Sequence, residues 1–437
     1  MKRFCLMLYS LLWLLLLPLV FARLAWRARK EPAYLSHPWE RLALYGEEAG
    51  AHHGALWLHA VSLGETRAAL PLLRALLDAD PQQRILLSHT TATGRAAGAE
   101  LLAGYGERVR QIWLPYDLGF LQRRLVHTFA PRLCILMETE VWPNLMQVAR
   151  QEGLPVLLAN ARMSARSVRK AQRMRWLLQP AYAALSAVAA QTAQDAERLQ
   201  SLGARQVSIS GSIKFDIEIP AACLQTGAQL KRLIGARRVF LCASTREGEE
   251  ALLLPAFAAL QRQHPDWLLL LVPRHPQRFD EVAALAQQHG LRLQRRSALG
   301  DLAQAAALDP SCQLLLGDSM GEMFVYCSAA DLVFTGGSLL PLGGQNPIEA
   351  CALGKAVLFG PHTFNFEWVC EQAIAAGAAQ RVADVTELMQ SAQILLQDAA
   401  QCVQRGAAAQ AFAQAHRGAT ARSLQILRNL QDHNKRA

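Results

Sequence analysis

Short apolar runs alternate along most of the chain with longer segments in which apolar residues recur at helical spacing. This alternation is typical of parallel sheets whose strands are joined by crossover helices. The predicted strands are Ala55–Val61, Arg84–Ser88, Val109–Trp113, Leu133–Met137, Pro155–Ala159 and Ala187–Gln191 and, after Gly211, Arg238–Ala243, Trp267–Val272, Leu291–Arg295, Gln313–Leu316, Leu332–Thr335 and Ala356–Phe359. Because 437 residues suit two compact domains, we predict an α/β protein with two doubly wound domains, residues 40–212 and 213–437.

The first thirty residues form a separate, strongly apolar segment. Phe4–Ala22 is a run of 19 uncharged residues, long enough to cross a hydrocarbon layer of about 30 Å at about 1.5 Å per residue. Four cations lie between Arg23 and Lys30, whereas two precede the run, so the positive-inside rule leaves the rest of the protein in the cytoplasm. We therefore predict a single-pass transmembrane helix within residues 1–30. A cleaved signal peptide ending near Ala22 is the alternative.

The net charge of +10 is concentrated in the first half, where residues 1–213 hold 25 Lys and Arg against 15 Asp and Glu. Such a basic half favours an anionic partner: a membrane surface, an acidic lipid or a nucleic acid. Between residues 162 and 175 six cations occur without an acid in a helical pattern. We predict membrane or lipid-acceptor contact there, and a solvated helix face is the alternative. The residues concerned are Arg162, Arg166, Arg169 and Arg173.

Acidic residues follow two predicted strands of the first half, at the strand ends where doubly wound sheets bind ligands. Glu65 stands at the start of a helix, where the helix dipole is expected to favour its charged form and make it available as a general base. A simple helix cap is the alternative for Glu65. Glu138 and Glu140 end another strand just before Pro143, and paired carboxylates there can share acid/base or cation-stabilising work.

Glycine-rich loops follow the strands of the second half. Residues 317–322, 336–338 and 343–349 each place small residues before a helix start, where free backbone N–H groups bind anionic oxygens. Glu349 could accept ribose hydroxyls, and Arg274 could meet a phosphate. The chain has no GxGxxG fingerprint and no Walker lysine motif, and its nine cysteines form no CxxC pair. The second half therefore indicates a nucleotide-phosphate site without a metal or another cofactor.

Seven motifs, in this order, resemble the series found in 3-deoxy-D-manno-octulosonic acid (Kdo) transferases: WLHAVSLGET, METEVWPN, CASTREGEE, PRHPQRF, DSMGEM, GGSLLPLGGQNPIEA and GPHTFNF. The resemblance implies a GT-B fold, with two Rossmann-like domains facing a cleft. It also implies a glycosyltransferase of lipopolysaccharide core biosynthesis at the cell inner membrane. CMP-Kdo would be the donor and a tetraacylated lipid A precursor (lipid IVA) the acceptor. Transfer would invert the anomeric carbon without a metal.

The resemblance also assigns roles to individual residues. It makes Glu65 the catalytic base and gives Glu138 and Lys214 a part in stabilising the transition state. It implies acceptor binding by the first domain and CMP binding by the second. The implied CMP contacts are Pro273, Arg274, Met320, Gly321, Glu322, Asn346, Pro347, Ile348 and Glu349.

Two alternatives remain at this point. One is another GT-B enzyme of envelope synthesis that uses a UDP-sugar. The other is a membrane-tethered nucleic-acid-binding protein, which would show steeply salt-dependent binding. The second is disfavoured because the glycine-rich strand ends lie in the half of the chain that carries no excess charge. We therefore expect no nucleic-acid partner.

Overall fold

The structure is a computed structural model that describes residues 2–29 and 31–436. The chain forms two compact units, Met1–Asp216 together with Arg417–Ala437, and Ile217–His416. The predicted boundary between residues 212 and 213 lies within a few residues of the observed crossing at Asp216. Each unit contains its own parallel sheet, as the alternation of apolar runs predicts.

The first unit is built on a seven-stranded parallel sheet. Its strands are β1 (Leu56–His59), β2 (Ile85–His89), β3 (Val109–Trp113), β4 (Leu133–Met137), β5 (Val156–Ala161), β6 (Ala187–Ala190) and β7 (Val207–Ile209). Its helices up to the crossing are α1 (Lys2–Ala28), α2 (Leu63–Ala79), α3 (Ala92–Leu101), α4 (Gly119–Phe129), α5 (Pro143–Gln151), α6 (Ala165–Arg173), α7 (Arg175–Tyr182) and α8 (Ala193–Ser201). The strand order is β3-β2-β1-β4-β5-β6-β7, so the direction of winding reverses between β1 and β4.

The central strands are buried along their whole length because helices cover both faces of the sheet. Successive residues of β1 and β4 enter opposite cores: Trp57 and Cys134 pack on one side, and Leu58 and Ile135 on the other. All four side chains are fully buried. Removal of this apolar surface from water is the main force that holds the sheet between its helical layers.

The second unit repeats the plan with another seven-stranded parallel sheet. Its strands are β8 (Arg238–Thr245), β9 (Trp267–Pro273), β10 (Leu293–Arg295), β11 (Leu314–Leu316), β12 (Leu332–Thr335), β13 (Ala356–Phe359) and β14 (Ala379–Arg381). Its helices are α9 (Ala221–Ile234), α10 (Glu249–Gln263), α11 (Phe279–Gln288), α12 (Met323–Ala329), α13 (Ile348–Ala352), α14 (Glu367–Ala375), α15 (Val385–Gln397) and α16 (Ala399–Ala415). The order β10-β11-β9-β8-β12-β13-β14 reverses direction between β8 and β12.

The last helix, α17 (Ala419–Arg436), returns to the first unit. Both carboxylate oxygens of Asp216 accept backbone N–H groups at its start, from Gly418 and Thr420. Leu427 is buried in the core beneath α2. The sequence-based assignment of residues 417–437 to the second domain is therefore wrong. The helical pattern marks α17 but does not indicate which sheet it covers.

Every predicted strand is present, and two short edge strands, β7 and β14, were not predicted. Val207–Ile209 is largely exposed, and only the first residue of Ala379–Arg381 is buried. Neither segment therefore shows the apolar run that identifies an interior strand.

Helix α1 contains the predicted membrane segment, since Phe4–Ala28 is long and apolar enough to cross a bilayer. Lys30, at the end of the predicted anchor, lies outside the described residues. The helix is held against the first unit along one side. The Tyr9 hydroxyl donates to Asp117 Oδ2 at 3.0 Å, and the Ser10 hydroxyl lies 3.3 Å from Asn144 Oδ1. Large apolar residues elsewhere on the helix, such as Leu15 and Leu19, are exposed.

Candidate functional site

The site of the first unit lies at the carboxyl ends of β1 and β4, where the winding of the sheet reverses and where such sheets bind ligands. Glu65 follows β1 at the start of α2, and Glu138 directly follows β4. Lys214 lies in the short 3₁₀ turn Ile213–Asp216 beyond β7. The structure brings these three predicted residues together, because Lys214 contacts Glu138 and both influence the titration of Glu65.

Glu65 is half-buried and is held by the start of its own helix. The Glu65 N–H donates to Ser62 Oγ at 3.4 Å, and Glu65 Oε2 accepts the Val61 N–H at 2.7 Å. This arrangement is close to a capping box, so the helix-cap interpretation is correct as far as it goes. It engages Oε2 and does not exclude a role for the carboxyl group in proton transfer.

Burial raises the pKa of Glu65 to about 7, outweighing the Val61 hydrogen bond, and the nearby carboxylates Glu140 and Glu138 push it the same way. The expectation that the helix dipole would keep this group readily ionised is therefore wrong in direction. Desolvation disfavours the charged form more strongly than the helix start favours it. A carboxyl group that titrates near pH 7 is better suited to general-base work than an ordinary glutamate.

Glu138 is buried and ionised between two cations. Lys214 Nζ lies 2.7 Å from Oε1, and Arg162 Nε lies 2.7 Å from Oε2. Burial raises the pKa of Glu138, but Lys214 and Arg162 outweigh burial, so the pKa lies below its ordinary value. The backbone of Glu138 has φ of 55°, a left-handed conformation that is uncommon outside glycine and that clusters at functional sites.

Arg162 thus has a different place from the one predicted for it. It was grouped with the basic cluster of residues 162–175, but it immediately follows β5 and pairs with Glu138. The remaining members, Arg166, Arg169 and Arg173, are exposed on α6. The sequence does distinguish Arg162 from the other three arginines. Arg162 directly follows a strand, whereas the others recur at helical spacing.

A third carboxyl group, that of Glu140, lies at the same carboxyl edge of the first sheet. Burial raises its pKa to about 7, and Glu138 adds to the shift. Glu140 Oε2 accepts the Trp142 indole N–H at 3.1 Å and lies 4.0 Å from Nε2 of the fully buried His59. Burial lowers the pKa of His59 to about 3, so its ring is neutral and the contact is no ion pair. His59 was not predicted, although its place at the end of β1 is visible in the sequence.

In the second unit, a buried carboxylate occupies a loop that was predicted to bind phosphate. Glu249 accepts the backbone N–H groups of Gly337, Ser338 and Leu339, the latter two at 2.9 and 3.0 Å. It also accepts the Arg246 N–H at 2.9 Å. The prediction that the Gly336–Ser338 N–H groups serve a ligand is therefore wrong for Gly337 and Ser338. The protein satisfies them with its own side chain.

A second buried carboxylate supports the turn after β9. Glu250 is paired with Arg278 through two hydrogen bonds of 2.8 and 3.0 Å and accepts the Thr245 hydroxyl at 2.7 Å. The Arg274 N–H donates to Thr245 O at 2.9 Å. Pro273 and Arg274 are therefore held at the carboxyl edge of the second sheet, with the Arg274 side chain half-buried.

The other predicted donor residues follow β11 and β12 at the same edge of the second sheet. Met320, Gly321 and Glu322 precede α12, and Glu322 binds Arg296 Nη2 at 2.8 Å. Asn346 Oδ1 accepts the Ile348 N–H at 3.1 Å, just before α13 begins. The remaining donor candidates, at the start of α13, are Pro347, Ile348 and Glu349.

Comparison with known proteins identifies the family. The family model described as 3-deoxy-D-manno-octulosonic-acid transferase (kdotransferase) matches residues 36–217. A 3-deoxy-D-manno-octulosonic acid transferase of Bordetella pertussis is 48% identical over 378 residues, 85% of this chain and 86% of the relative. The Haemophilus influenzae transferase is 33% identical over 430 residues, 98% of this chain and 99% of the relative. The chain belongs to the Kdo transferases.

Solved structures show the fold of this Kdo transferase. A Neisseria meningitidis UDP-N-acetylglucosamine 2-epimerase has a TM-score of 0.59 at 14% identity, covering 86% of this chain and 99% of its own. Anabaena HepE in complex with UDP has a TM-score of 0.58 at 16% identity, covering 86% and 100%. At such low sequence identities the structural likeness shows the fold alone, and it confirms the predicted GT-B class. That the two domains face a cleft stays a prediction.

Family membership decides between the functions that the sequence left open. This Kdo transferase is a glycosyltransferase that transfers Kdo in lipopolysaccharide biosynthesis, as the motif series predicts. The alternatives of a UDP-sugar transferase and of a nucleic-acid-binding protein are set aside. The roles of individual residues, the donor, the acceptor and the membrane contact stay predictions.

Proposed function

We propose that this Kdo transferase moves Kdo from CMP-Kdo to a lipid A precursor, with inversion and with Glu65 as general base. The observation that carries the proposal is the carboxyl group of Glu65, whose pKa is about 7 and which lies at the edge where the first sheet reverses its winding. Glu140 at the same edge also has a pKa of about 7, but Glu65 differs from it in lying at the start of the helix that follows β1.

Inverting transfer needs one base on the face opposite the leaving group. Glu65 would take the proton of the acceptor hydroxyl as that oxygen forms its bond to the anomeric carbon of Kdo. The bond from this carbon to the CMP phosphate oxygen breaks, and its electron pair leaves with CMP. Glu65 ends the step protonated and then loses the proton to water.

Glu138 and its two cations would supply fixed charges beside the reacting atoms. An ionised carboxylate favours a sugar carbon that develops positive charge, whereas Lys214 and Arg162 favour negative charge on carboxylate or phosphate oxygens. The hydrogen-bonded triad keeps these charges in place before the reaction, so little reorganisation is needed when charge develops. This arrangement supports a stabilising role for Glu138 and Lys214.

For the donor, we propose that the second unit binds CMP at the carboxyl edge of its sheet. Arg274 would meet the phosphate, and Glu349 would accept the ribose hydroxyls. Residues 320–322 and 346–348 would complete the pocket through the backbone at the starts of α12 and α13. The first unit would then bind the acceptor.

We further propose that α1 attaches the enzyme to the cell inner membrane, with both units on the cytoplasmic side. The exposed apolar side of α1 and the basic face of α6 support contact with an anionic surface. Because α1 is held by Asp117 and Asn144, it would enter the membrane together with the adjoining face of the first unit. A full single-pass span stays a prediction.

The reaction is tested by incubating the purified full chain with lipid A precursor and CMP-Kdo generated in situ. Mass spectrometry of the lipid should show the mass of added Kdo, and EDTA should leave the rate unchanged. Proton and carbon spectra of the product should show the anomeric configuration opposite to that of CMP-Kdo. Retention of configuration would contradict a single displacement with Glu65 as base.

The donor site is tested by calorimetric titration with CMP. Arg274→Ala or Glu349→Ala should weaken binding by about 1.5–3 kcal/mol, because each removes a charge-assisted hydrogen bond. Arg262→Ala, on the exposed side of α10, is the matched control and should bind like the unaltered protein. Unchanged affinity in both site variants would place CMP elsewhere.

A further inference from the structure

A cavity of about 980 Å³ lies in the first unit between α1 and the helices that pack beside it. Its walls come from residues 4–14 of α1, the start of α4, one side of α5 and residues 176–184 in and after α7. Its volume is at the upper end of the range of about 300–1,000 Å³ typical of small-molecule sites. The cavity is therefore large enough for a flexible apolar chain.

The walls are mainly apolar and the rim is cationic. Leucine, methionine and phenylalanine side chains of α1 face Val148, Trp176 and Leu177, while Arg150 and Arg205 contribute to the lining. Among the residues that the structure describes, no aspartate or glutamate lines the cavity. An apolar interior with arginines at its margin is complementary to an acyl chain that is joined to an anionic headgroup.

The cavity reaches the start of α5, the helix that follows the loop carrying Glu138 and Glu140. Pro143 and Asn144 line it, and Pro143 begins α5 three residues after Glu140. Asn144 Nδ2 donates to Asp117 O at 2.6 Å and to Ser10 Oγ at 3.1 Å, so the start of α5 is tied to α1. A headgroup attached to a chain in this cavity would therefore emerge close to the loop that carries Glu138 and Glu140.

The cavity also borders the surface that faces lipid in the proposed membrane-attached enzyme. Several α1 residues that line the cavity, among them Phe4, Met7 and Leu11, are also largely exposed, so the cavity opens on the apolar surface of α1. Phe120 is 61% exposed and Trp176 45% exposed at its margin, and aromatic residues of this kind are typical of membrane interfaces. A chain could thus enter the cavity from the bilayer without crossing water.

We propose that this cavity holds one acyl chain of the lipid acceptor and so positions the acceptor headgroup at Glu65. The proposal rests on the proposed function, and it adds a binding site for the apolar part of the acceptor. It commits to the acceptor rather than to a phospholipid of the bilayer, because the cavity is lined by the start of α5, which directly follows the catalytic loop. Gln147, half-buried on α5, and the exposed Phe120 both line the cavity.

The test fills the cavity and compares two acceptors. Gln147→Trp in the full chain is assayed in detergent micelles without phospholipid, with the acylated acceptor and with the same acceptor after its acyl chains have been removed. We expect the KM for the acylated acceptor to rise at least tenfold, with the KM for CMP-Kdo and the rate with the deacylated acceptor unchanged. Gln200→Trp, an exposed helical glutamine on α8, is the matched control.

Phe120→Asp is the second variant, because an exposed position tolerates substitution without loss of folding. It should raise the same KM, since a carboxylate at the margin opposes entry of the chain. An unchanged KM for the acylated acceptor in both variants would overturn the proposal, as would an equal loss with the deacylated acceptor. An increase that appears only when phospholipid vesicles are present would assign the cavity to a bilayer lipid and also overturn it.

The proposed function fails in a different way. If the unaltered enzyme transfers Kdo to neither acceptor, the reaction itself is misassigned. If it transfers Kdo to both and the variants behave normally, only the acyl-chain site is wrong. A photoreactive group at the end of an acyl chain should label peptides of α1, α5 or α7, and labelling confined to α6 would contradict the site.

Discussion

The chemistry of Glu65 depends on a balance of effects on one carboxyl group. Its helix start and the Val61 N–H favour the ionised form, whereas burial and two neighbouring carboxylates disfavour it, and the pKa of about 7 shows that burial is the larger effect. Glu138 sits in the same edge but is held ionised because two cations contact it directly. Neighbouring carboxyl groups are thus given different protonation states by their immediate contacts.

Glu65→Gln should keep the fold and lower turnover by about 10²–10⁴-fold, the usual effect of removing a general base. Since the base must be unprotonated, kcat/KM of the unaltered enzyme should fall as pH drops below about 7. Steady-state kinetics between pH 5 and 9 would measure both effects. Glu100→Gln, exposed on α3, serves as the control, and normal turnover in Glu65→Gln would remove Glu65 from this role.

The raised pKa of Glu65 also makes the free energy of unfolding depend on pH. The pKa of Glu65 is raised from 4.5 to about 7, so between these values the folded state holds a proton that the unfolded chain has lost. The free energy of unfolding should therefore fall as pH rises through this window. In denaturant titrations, the free energy of unfolding of Glu65→Gln should fall less steeply over this pH window. The raised pKa of Glu140 should lower the free energy of unfolding in the same direction.

At the scale of single residues, the sequence located candidate site residues where they directly follow a strand with a clear apolar pattern. Glu65 and Glu138 could be found because β1 and β4 lie in strongly apolar segments, and the strand ends define the ligand-binding edge. The partners of Glu138 could not be derived in the same way. Arg162 and Lys214 come from β5 and from beyond β7, and their contact with Glu138 depends on strand order and on the left-handed turn at Glu138.

Among the elements, the loop after β12 shows how a buried charge can shape a binding edge without binding the ligand. Glu249, at the start of α10, fixes the N–H groups of Gly337 and Ser338. The carbonyls of the same loop then accept the N–H groups of Gly344 and Gln345 at 2.6 and 3.0 Å. These residues lead directly into the donor segment 346–349, so Glu249 acts on the donor site through the backbone.

Glu249→Gln should therefore lower both stability and CMP affinity. An amide side chain offers one acceptor oxygen in place of two, and a buried N–H left without an acceptor costs about 1–3 kcal/mol. Thermal unfolding and calorimetry with CMP would measure the two losses. Glu247→Gln, two residues earlier and exposed, is the matched control. A stable variant with normal CMP affinity would show that Glu249 does not organise this edge.

The interior strands and the edge strands β3 and β10 were predicted, whereas the edge strands β7 and β14 were not. Strands such as β4 and β9 are buried on both faces, so every residue is apolar and the signal is continuous. The edge strands β7 and β14 need only one neighbour and tolerate exposed polar residues. Their sequences therefore look like loops, and β7 was missed although the chain beyond it carries Lys214.

For the whole molecule, the sequence indicated which segments are helical but not where the terminal helices pack. Helix α17 has the apolar spacing of a core helix, but its assignment to the first unit depends on long-range contacts such as those of Asp216 and on the burial of Leu427. Helix α1 reads as a free membrane span, yet Tyr9 and Ser10 hold it to the first unit. Long-range packing of this kind leaves no local pattern in the chain.

Helix α1 therefore cannot be removed without consequence for the first unit. Trp13 and Leu17 pack against a small core around Leu118 and Leu121, and a truncation near Trp26 would expose that core to water. Weaker membrane binding by such a truncated protein would have two causes that the measurement does not separate, the missing anchor and the lower stability of the first unit. Charge changes on α6 of the full chain are a cleaner measure of the membrane face, because the side chains of Arg166, Arg169 and Arg173 are exposed.

The full chain with Arg166, Arg169 and Arg173 replaced by Gln should bind anionic vesicles more weakly at low salt. Each cation near such a surface contributes about 1 kcal/mol, and the contribution should fade as the screening length falls to about 10 Å at 0.1 M salt. Co-sedimentation across a salt series would measure the loss, and the KM for the lipid acceptor should rise while CMP affinity stays constant. Replacing Arg74, Arg262 and Arg428, which are exposed elsewhere, removes the same charge and controls for net charge alone. Equal sedimentation of the two triple variants would show that α6 presents an ordinary solvated face, whereas a selective loss in the α6 variant would locate the anionic contact beside α1.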